Sequence, residues 1–311
     1  MEKHRLAEMI AGVVRGRVRV DVPMSALTTL RVGGPADVLV EPMGLDDVLR
    51  LAEILNKVGT EAEVMGRGSN LLVSDRGIRG VVIRLGKGLS RIRFEGKDIV
   101  EVEAGCNLNR LIRESVSRGL GGIERLIGIP GSLGGAVRMN AGAFGQEVGD
   151  TLEEAWVVSG LAGGEVRVYG KSRERLNPRY RGCDLEEGEI IVKLRFRFRL
   201  SGREELEEGM REALALRRER QPLGWASAGS VFKNPPGMSA GELIERCGLK
   251  GKRVGDAMVS EKHANFIINR GKATASDVRS LVELIKEEVY HREGVVLEEE
   301  VRLVGDWGDV A

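Results

Sequence analysis

The sequence is poor in the residues that staple chains or hold metals. Its three cysteines, Cys106, Cys183 and Cys247, are far apart and odd in number. There is no Cys-x-x-Cys pair, which argues against a disulfide framework and fits a reducing compartment. The three histidines, His4, His263 and His291, do not cluster, so no metal site is expected. Excess charge of one sign is missing too. Lys and Arg total 48 against 47 Asp and Glu, a net charge of +1, and no global positive field points to nucleic acid. No window approaches the roughly 18 consecutive apolar residues of a bilayer span. Residues 1–20 are charged throughout and lack the apolar centre of a signal peptide. The expectation is a cytoplasmic protein with neither membrane nor nucleic acid as partner. No fixed-period repeat is present.

What the chain has in excess is glycine, 43 in 311 residues, clustered in loops rather than repeating. That pattern implies many tight turns and backbone-lined sites. With 42% apolar and 31% charged residues, the composition is that of a soluble globular protein, and the length suggests two or three domains. The densest stretch is 126–147, with glycines at 128, 131, 134, 135, 142 and 145. Pro130 fixes one φ, and Gly131 is expected to take a positive one, turning the chain sharply. Ser132 is then the expected cap of a short helix over 134–140. A glycine-lined helix start offers unpaired N–H groups and close approach to the main chain, which a pyrophosphate needs. A second Gly-rich loop, Gly66-Arg67-Gly68-Ser69-Asn70, follows an expected strand, Ala62–Met65. The first stretch alone reads equally as a plain turn or as a phosphate cradle, whereas the second alone reads rather as a plain turn.

Periodicity places the other elements. Helices are expected over 5–14, over 45–58 with Val48, Leu51, Ala52 and Leu55 inward and Gly59 as stop, and from the Asn107 cap through Arg118. Strands are expected at Val38–Glu41, Leu71–Ser74, Val81–Leu85, Ile92–Phe94, Ile99–Ala104, Ala155–Ser159, Glu165–Tyr169 and Ile190–Leu200. In the last of these, Val192, Leu194, Phe196, Phe198 and Leu200 alternate with Lys193, Arg195, Arg197 and Arg199. The basic face reads as solvated, with an anionic ligand as the alternative. A domain seam is expected near residue 201, followed by a charged helix over 203–220 ended by Pro222. A helix at 239–247, a strand at Ala264–Asn269, a Thr274-capped helix stopped by Gly294, and a strand at Val301–Val304 complete the chain. Residues 228–237 are rich in groups that bind oxygen ligands. Two Gly-rich loops ahead of such a region imply a nucleotide-dependent enzyme, without naming its chemistry.

Seven motifs, in order, go further: TLRVGGPAD (29–37), GRGSNLLVSD (66–75), GIPGSLGGAVRMNAGAFG (128–145), YRGCDL (180–185), GSVFKNPPG (229–237), SEKHANFIIN (260–269) and EEEVRLVG (298–305). Together they resemble the UDP-N-acetylenolpyruvoylglucosamine reductase (MurB) family, over about residues 23–305, in its shorter form without an extra substrate-covering loop. The resemblance implies an α+β fold. An FAD-binding domain of the vanillyl-alcohol-oxidase (PCMH) type would occupy 1–200, in subdomains of about 1–85 and 86–200. A substrate domain would occupy 201–300, and the tail 301–311 would return to the first subdomain. It implies non-covalent FAD, NADPH as co-substrate, a UDP-sugar substrate and a monomer. NADPH would reduce the flavin, which would then reduce an enolpyruvyl ether to a lactyl ether. The implied catalytic residues are Arg181, Ser230 and Glu300. The implied flavin contacts are Gly66, Arg67, Gly68, Ser69, Asn70, Gly128, Ile129, Pro130, Gly131, Ser132, Gly134 and Gly135. The implied substrate contacts are Tyr180, Lys233, Asn234, Lys262, His263 and Asn265.

Three positions depart from the family pattern: Cys183 where a serine is frequent, Met258 where a glutamine is common, and Glu299 where a proline is usual. Glu298 and Glu299 compete with Glu300, which is preferred because it directly precedes Val301-Arg302. Two rival readings stay open, a flavin oxidase of the same fold and a non-catalytic nucleotide-sugar binding protein.

Overall fold

The computed structural model describes residues 2–308. Compact packing divides the chain into two units. The first takes the chain up to Val20, then Asp37–Arg67 and Gly80–Leu216; the second takes Asp21–Ala36, Gly68–Arg79 and the chain from Arg217 onward. The division therefore falls inside the charged helix Arg203–Arg220, and not at the expected seam near 201. The helix crosses that point unbroken because it contains neither glycine-rich turn nor proline before Pro222.

The first unit holds two sheets. One has the order Arg17–Pro23, Pro35–Glu41, Ile78–Arg84, Ala62–Met65. Its last pair is parallel, with Ala62 beside Val81 and Met65 beside Arg84. The Leu45–Val58 helix buries Val48, Leu51, Ala52 and Leu55, and Gly59 ends it at φ 61°, as its periodicity and stop predict. Asp47 is buried at its start because its carboxylate accepts from the amides of Arg15, Gly16 and Met43 at 2.8–2.9 Å.

The other sheet is antiparallel, in the order Val168–Ser172, Leu152–Val158, Ile190–Arg197, Ile99–Glu103, Ile92–Glu95. Phe196 and Leu194 are fully buried on one face. The basic residues on the opposite face meet carboxylates: Lys193 and Arg195 reach Glu101, Arg195 also reaches Glu153, and Arg197 lies between Glu153 and Asp98. This face is an ion-pair lattice, so the anionic-ligand alternative for it falls away.

The second unit is built on an antiparallel sheet, Ala226–Ser230, Phe266–Asn269, Ala257–Val259, Arg253–Val254. The helices Ala240–Arg246 and Ala275–Glu293 pack in the same core, with Leu243, Ile244, Val278, Leu281, Val282 and Ile285 buried. Thr274 and Asp277 form the expected capping box, and Gly294 stops the helix at φ 68°. Leu30, Val32 and Leu72, from the amino-terminal half of the chain, join this core. Arg302–Val304 pairs in parallel with Leu71–Val73. The carboxy-terminal strand thus returns to an amino-terminal segment, within the second unit.

Candidate active site

In the first unit the two Gly-rich stretches meet. The loop after Ala62–Met65 brings Gly66 against Ser132, so closely that a Cβ at position 66 would lie 1.9 Å from the Ser132 Oγ. Glycine at 66 is required for that approach. At the turn around Pro130 the positive φ falls on Gly128, at 90°, three residues before the expected Gly131. Asn109 sets this turn: its Oδ1 accepts from the Gly128 amide at 2.5 Å and its Nδ2 donates to the Ile129 carbonyl at 2.9 Å. Sequence reasoning missed Asn109, which looks like any polar position on the exposed side of a helix. Pro130 is exposed and Gly131 buried.

The short helix runs Leu133–Arg138, with Ser132 in the N-cap position but without a capping bond from its side chain. Two amides at its start are also taken, Leu133 by the Cys106 carbonyl at 2.9 Å and Gly134 by the Ala104 carbonyl at 2.8 Å. The expected helix-start donors are therefore reduced to others. Among the described residues, the loop amides of Gly131 and Ser132, which precede the helix, make no backbone hydrogen bond. Two loop amides and a serine hydroxyl, in a glycine-lined cradle that a Cβ at position 66 would fill, suit the oxygens of a diphosphate. The residues present therefore fit the flavin dinucleotide. Arg67 is exposed, while Gly68 is buried. The nearby Cys106 thiol is buried, and burial pushes its pKa up to about 11, which leaves it inert toward covalent attachment.

Arg181 lies in the same unit, at the tip of a tight turn. The amide and carbonyl of Arg179 and Gly182 exchange hydrogen bonds at 3.0 Å, and Arg181 sits at φ 59°. A non-glycine residue in this region carries strain of about 1–3 kcal/mol, sustained only where the surroundings dictate it. Asp184 dictates much of it, bonding to Arg179 and to Asn177, while Asn140 donates to the Arg179 carbonyl at 3.2 Å. Tyr180 is exposed, with the Arg181 guanidinium 4.9 Å from its ring centre. Cys183 is half-buried, and burial raises its pKa against the pull of Arg138 and Arg179.

The second unit brings Ser230 and Glu300 onto adjacent segments. The Val231 carbonyl accepts from the amides of Glu300 at 2.7 Å and Val301 at 3.3 Å, Phe232 bridges Glu299, and the Lys233 amide donates to the Glu298 carbonyl at 2.9 Å. Asn70 closes the other side: its Nδ2 donates to the Glu300 carbonyl at 3.0 Å, and its own carbonyl accepts from Arg302 at 3.0 Å. Lys286 pairs with Glu299 at 2.9 Å, and that bond raises the lysine pKa. The side chain at the proline-replacing position thus ties this segment to the Ala275–Glu293 helix. Ser69 lies half-buried beside Asn70.

The expected substrate contacts divide by what already holds them. The Lys233 ammonium reaches Glu298 at 3.2 Å, and Lys262 reaches the Arg218 carbonyl at 2.5 Å. The Asn234 Oδ1 accepts from Ala240 at 3.0 Å. His263 Nδ1 accepts from the Asn265 amide at 3.2 Å. Burial, then Lys250, lowers the His263 pKa. Asn265 is buried, and both ends of its amide hold Phe232, Oδ1 accepting its N–H at 2.9 Å and Nδ2 donating to its carbonyl at 2.8 Å. Its side chain brackets the Ser230 strand. Met258 is buried in its strand. Among the described residues no cluster of acidic, histidine or cysteine side chains is arranged to hold a metal ion, and no helix is long and apolar enough to cross a membrane.

Comparison with known proteins matches residues 36–170 to an FAD binding domain and residues 221–304 to the UDP-N-acetylenolpyruvoylglucosamine reductase C-terminal domain. UDP-N-acetylenolpyruvoylglucosamine reductase of Syntrophus aciditrophicus is 42% identical over 307 residues, covering 97% of both chains. That of Geobacter sulfurreducens is 45% identical over 302 residues, covering 97% of this chain and 99% of its own. The crystal structure of the Thermus caldophilus enzyme (MurB) superposes with a TM-score of 0.82 at 38% identity, over 93% of this chain and 99% of that one. With its mixed helix-and-sheet units and its match to an FAD binding domain, the chain belongs to the UDP-N-acetylenolpyruvoylglucosamine reductase family.

Proposed function

We propose that the protein reduces the enolpyruvyl ether of UDP-N-acetylenolpyruvoylglucosamine to the lactyl ether of UDP-N-acetylmuramate, a step of peptidoglycan precursor synthesis, with Arg181, Ser230 and Glu300 as its catalytic residues. The observation that carries the residue assignment is the pairing of Val231 with Glu300 and Val301, which supports joint action of Ser230 and Glu300 on one substrate. FAD, when bound, supplies the hydride chemistry, with NADPH as the source of reducing equivalents.

The residues of the chain handle charge and proton. Arg181 donates a forked pair of charge-assisted hydrogen bonds to the enolpyruvyl carboxylate, holding the charge that develops over C2 and that group. Glu300 shares a proton with the same carboxylate. Ser230 gives its Oγ proton to C2, with Lys233 steadying the alkoxide left behind. Tyr180, Asn234, Lys262 and His263 are assigned to the polar UDP-sugar. The backbone of Gly66, Gly128 and Gly131–Gly135, with the Ser132 hydroxyl, is assigned to the flavin diphosphate, held without a covalent bond. The three free cysteines support action in a reducing cytoplasm, and we assign a monomer as the working form.

The test is anaerobic stopped-flow with the two half-reactions separated. In Ser230→Ala, flavin content and flavin reduction by NADPH stay near parental values. Reoxidation by the enolpyruvyl sugar slows by roughly 10²–10⁴-fold, the worth of a placed proton donor. Parental reoxidation in this variant, with Arg181→Ala slow, would move the proton donor elsewhere.

A further inference from the structure

The Thr29–Asp37 motif has no part in the function above, yet Thr29 is bonded at a decisive place in the second unit. Its amide donates to the Gly68 carbonyl at 3.1 Å, and its hydroxyl donates to the Ser227 carbonyl at 2.7 Å, across 198 residues of chain. Ser227 opens a β-bulge. The register moves from Ser227 beside Ile268 to Ser230 beside Phe266, so the Ala226–Ser230 strand carries one extra residue there. Gly229 absorbs it at φ 80°. A bulge bends its strand and re-aims the side chain that follows, and that side chain is Ser230.

The same loop is fastened to the opposite segment. Asn70, two residues after Gly68, donates to the Glu300 carbonyl and accepts from the Arg302 amide, both at 3.0 Å. Gly68–Asn70 is therefore joined through Thr29 to the strand of Ser230 and through Asn70 to the segment of Glu300.

We propose that Thr29 is a positioning residue for proton delivery: its hydroxyl pins the Ser227 carbonyl and with it the bulge that aims Ser230. The inference rests on the reading of Ser230 as proton donor to C2. Thr29 touches neither substrate nor flavin in this role. Its loss leaves the strand paired and the bulge free to shift, and displacement of a reacting group by about 1 Å is worth about 10²-fold in rate.

The experiment compares Thr29→Val, which keeps the β-branched shape and removes the donor, with Thr29→Ser, which keeps the donor. Thr29→Val is expected to retain parental flavin content, parental flavin reduction by NADPH and parental KM for the enolpyruvyl sugar. Reoxidation falls about 10–100-fold, with a larger solvent deuterium effect, and Thr29→Ser restores most of the rate. Without substrate, hydrogen exchange in the peptide covering 226–234 is faster in Thr29→Val than in Thr29→Ser or the parent. Should Thr29→Val not accumulate as folded protein, Thr29→Ala carries the same expectations. Parental reoxidation in Thr29→Val while Ser230→Ala is slow overturns the inference alone. Equal losses in both half-reactions, or a Thr29→Ser as slow as Thr29→Val, overturn it as well. Parental reoxidation in Ser230→Ala removes the proton-donor reading, and this inference with it.

Discussion

The two units solve the same problem, polar groups on a sheet, in opposite ways. In the first, Lys193, Arg195 and Arg197 answer Glu95, Glu101, Asp98 and Glu153 across a face open to water. In the second, Asn265 and Asn269 are buried, and their amides grip backbone: Asn265 holds both groups of Phe232, while Asn269 holds Leu30, Gly271 and Ala273. Exposed pairs are screened, and each costs entropy to hold. Buried amides leave an unsatisfied group behind whenever one partner is lost. The first arrangement keeps a sheet soluble; the second fixes where particular atoms lie. The proposed proton donor stands on the second kind of sheet.

The strongest way to break this comparison lies within the first unit itself. Lys171 and Glu189 form a buried pair at 2.6 Å, with side chains 6% and 1% exposed, and Tyr169 also bonds Glu189. If burial rather than the choice of unit decides the energetics, Lys171→Met should cost about 3–5 kcal/mol in urea unfolding, because a buried carboxylate is left uncompensated. A loss below about 1 kcal/mol would erase the distinction. The pair also sets an acid limit. Burial alone would raise the Glu189 pKa, but the bonds from Lys171 and Tyr169 outweigh it and hold it below the usual range. A depressed carboxylate contributes stability that is present above its unfolded pKa of about 4.3 and is lost as pH falls through the folded value. The parent should therefore lose stability below about pH 4.

Next in size is Asn265→Leu, expected to cost about 2–4 kcal/mol from two orphaned groups on Phe232. It should also slow reoxidation of the reduced enzyme more than reduction by NADPH, because the Ser230 strand loses its bracket. The smallest effect belongs to the lattice. Arg195→Ala should change stability by less than about 1 kcal/mol, and less again in high salt. A larger loss would show that the open face carries more than solubility.

How much of this was legible in the sequence depends on the range of each interaction. The Leu45–Val58 helix with its Gly59 stop and the Ala275–Glu293 helix with its capping box follow from signals within a few residues. The alternation from Val192 to Leu200 announced a half-buried strand, and the ion pairs explain its basic face. The glycine stretches were recognisable as special, but the positive φ fell at Gly128 because Asn109, on another helix, takes the Gly128 amide. Ser132 was placed correctly at a helix start without capping it, since the Cys106 and Ala104 carbonyls hold the first amides. The seam near 201 followed a Ser-Gly pair, whereas packing joins the helix to the first unit as far as Leu216. Asp75 bonding Ala275 and Ser276, like Thr29 bonding Ser227, spans about two hundred residues and leaves no mark on local pattern. Of the candidate site, residue types and order were readable. The hydrogen bonds that aim them were not.

The parallel pairing of Leu71–Val73 with Arg302–Val304 has a consequence for synthesis on the ribosome. At roughly 5–20 residues per second, the ~230 residues between these strands take on the order of 10–50 s to emerge. During that interval Leu71 and Leu72, both buried in the finished protein, belong to a strand whose neighbour has not yet been made. This pairing thus forms only once Arg302–Val304 has emerged, and the amino-terminal pieces of the second unit wait in the nascent chain until then. Vectorial synthesis makes Leu71–Val73 older than its partner strand, Arg302–Val304 beside Glu300.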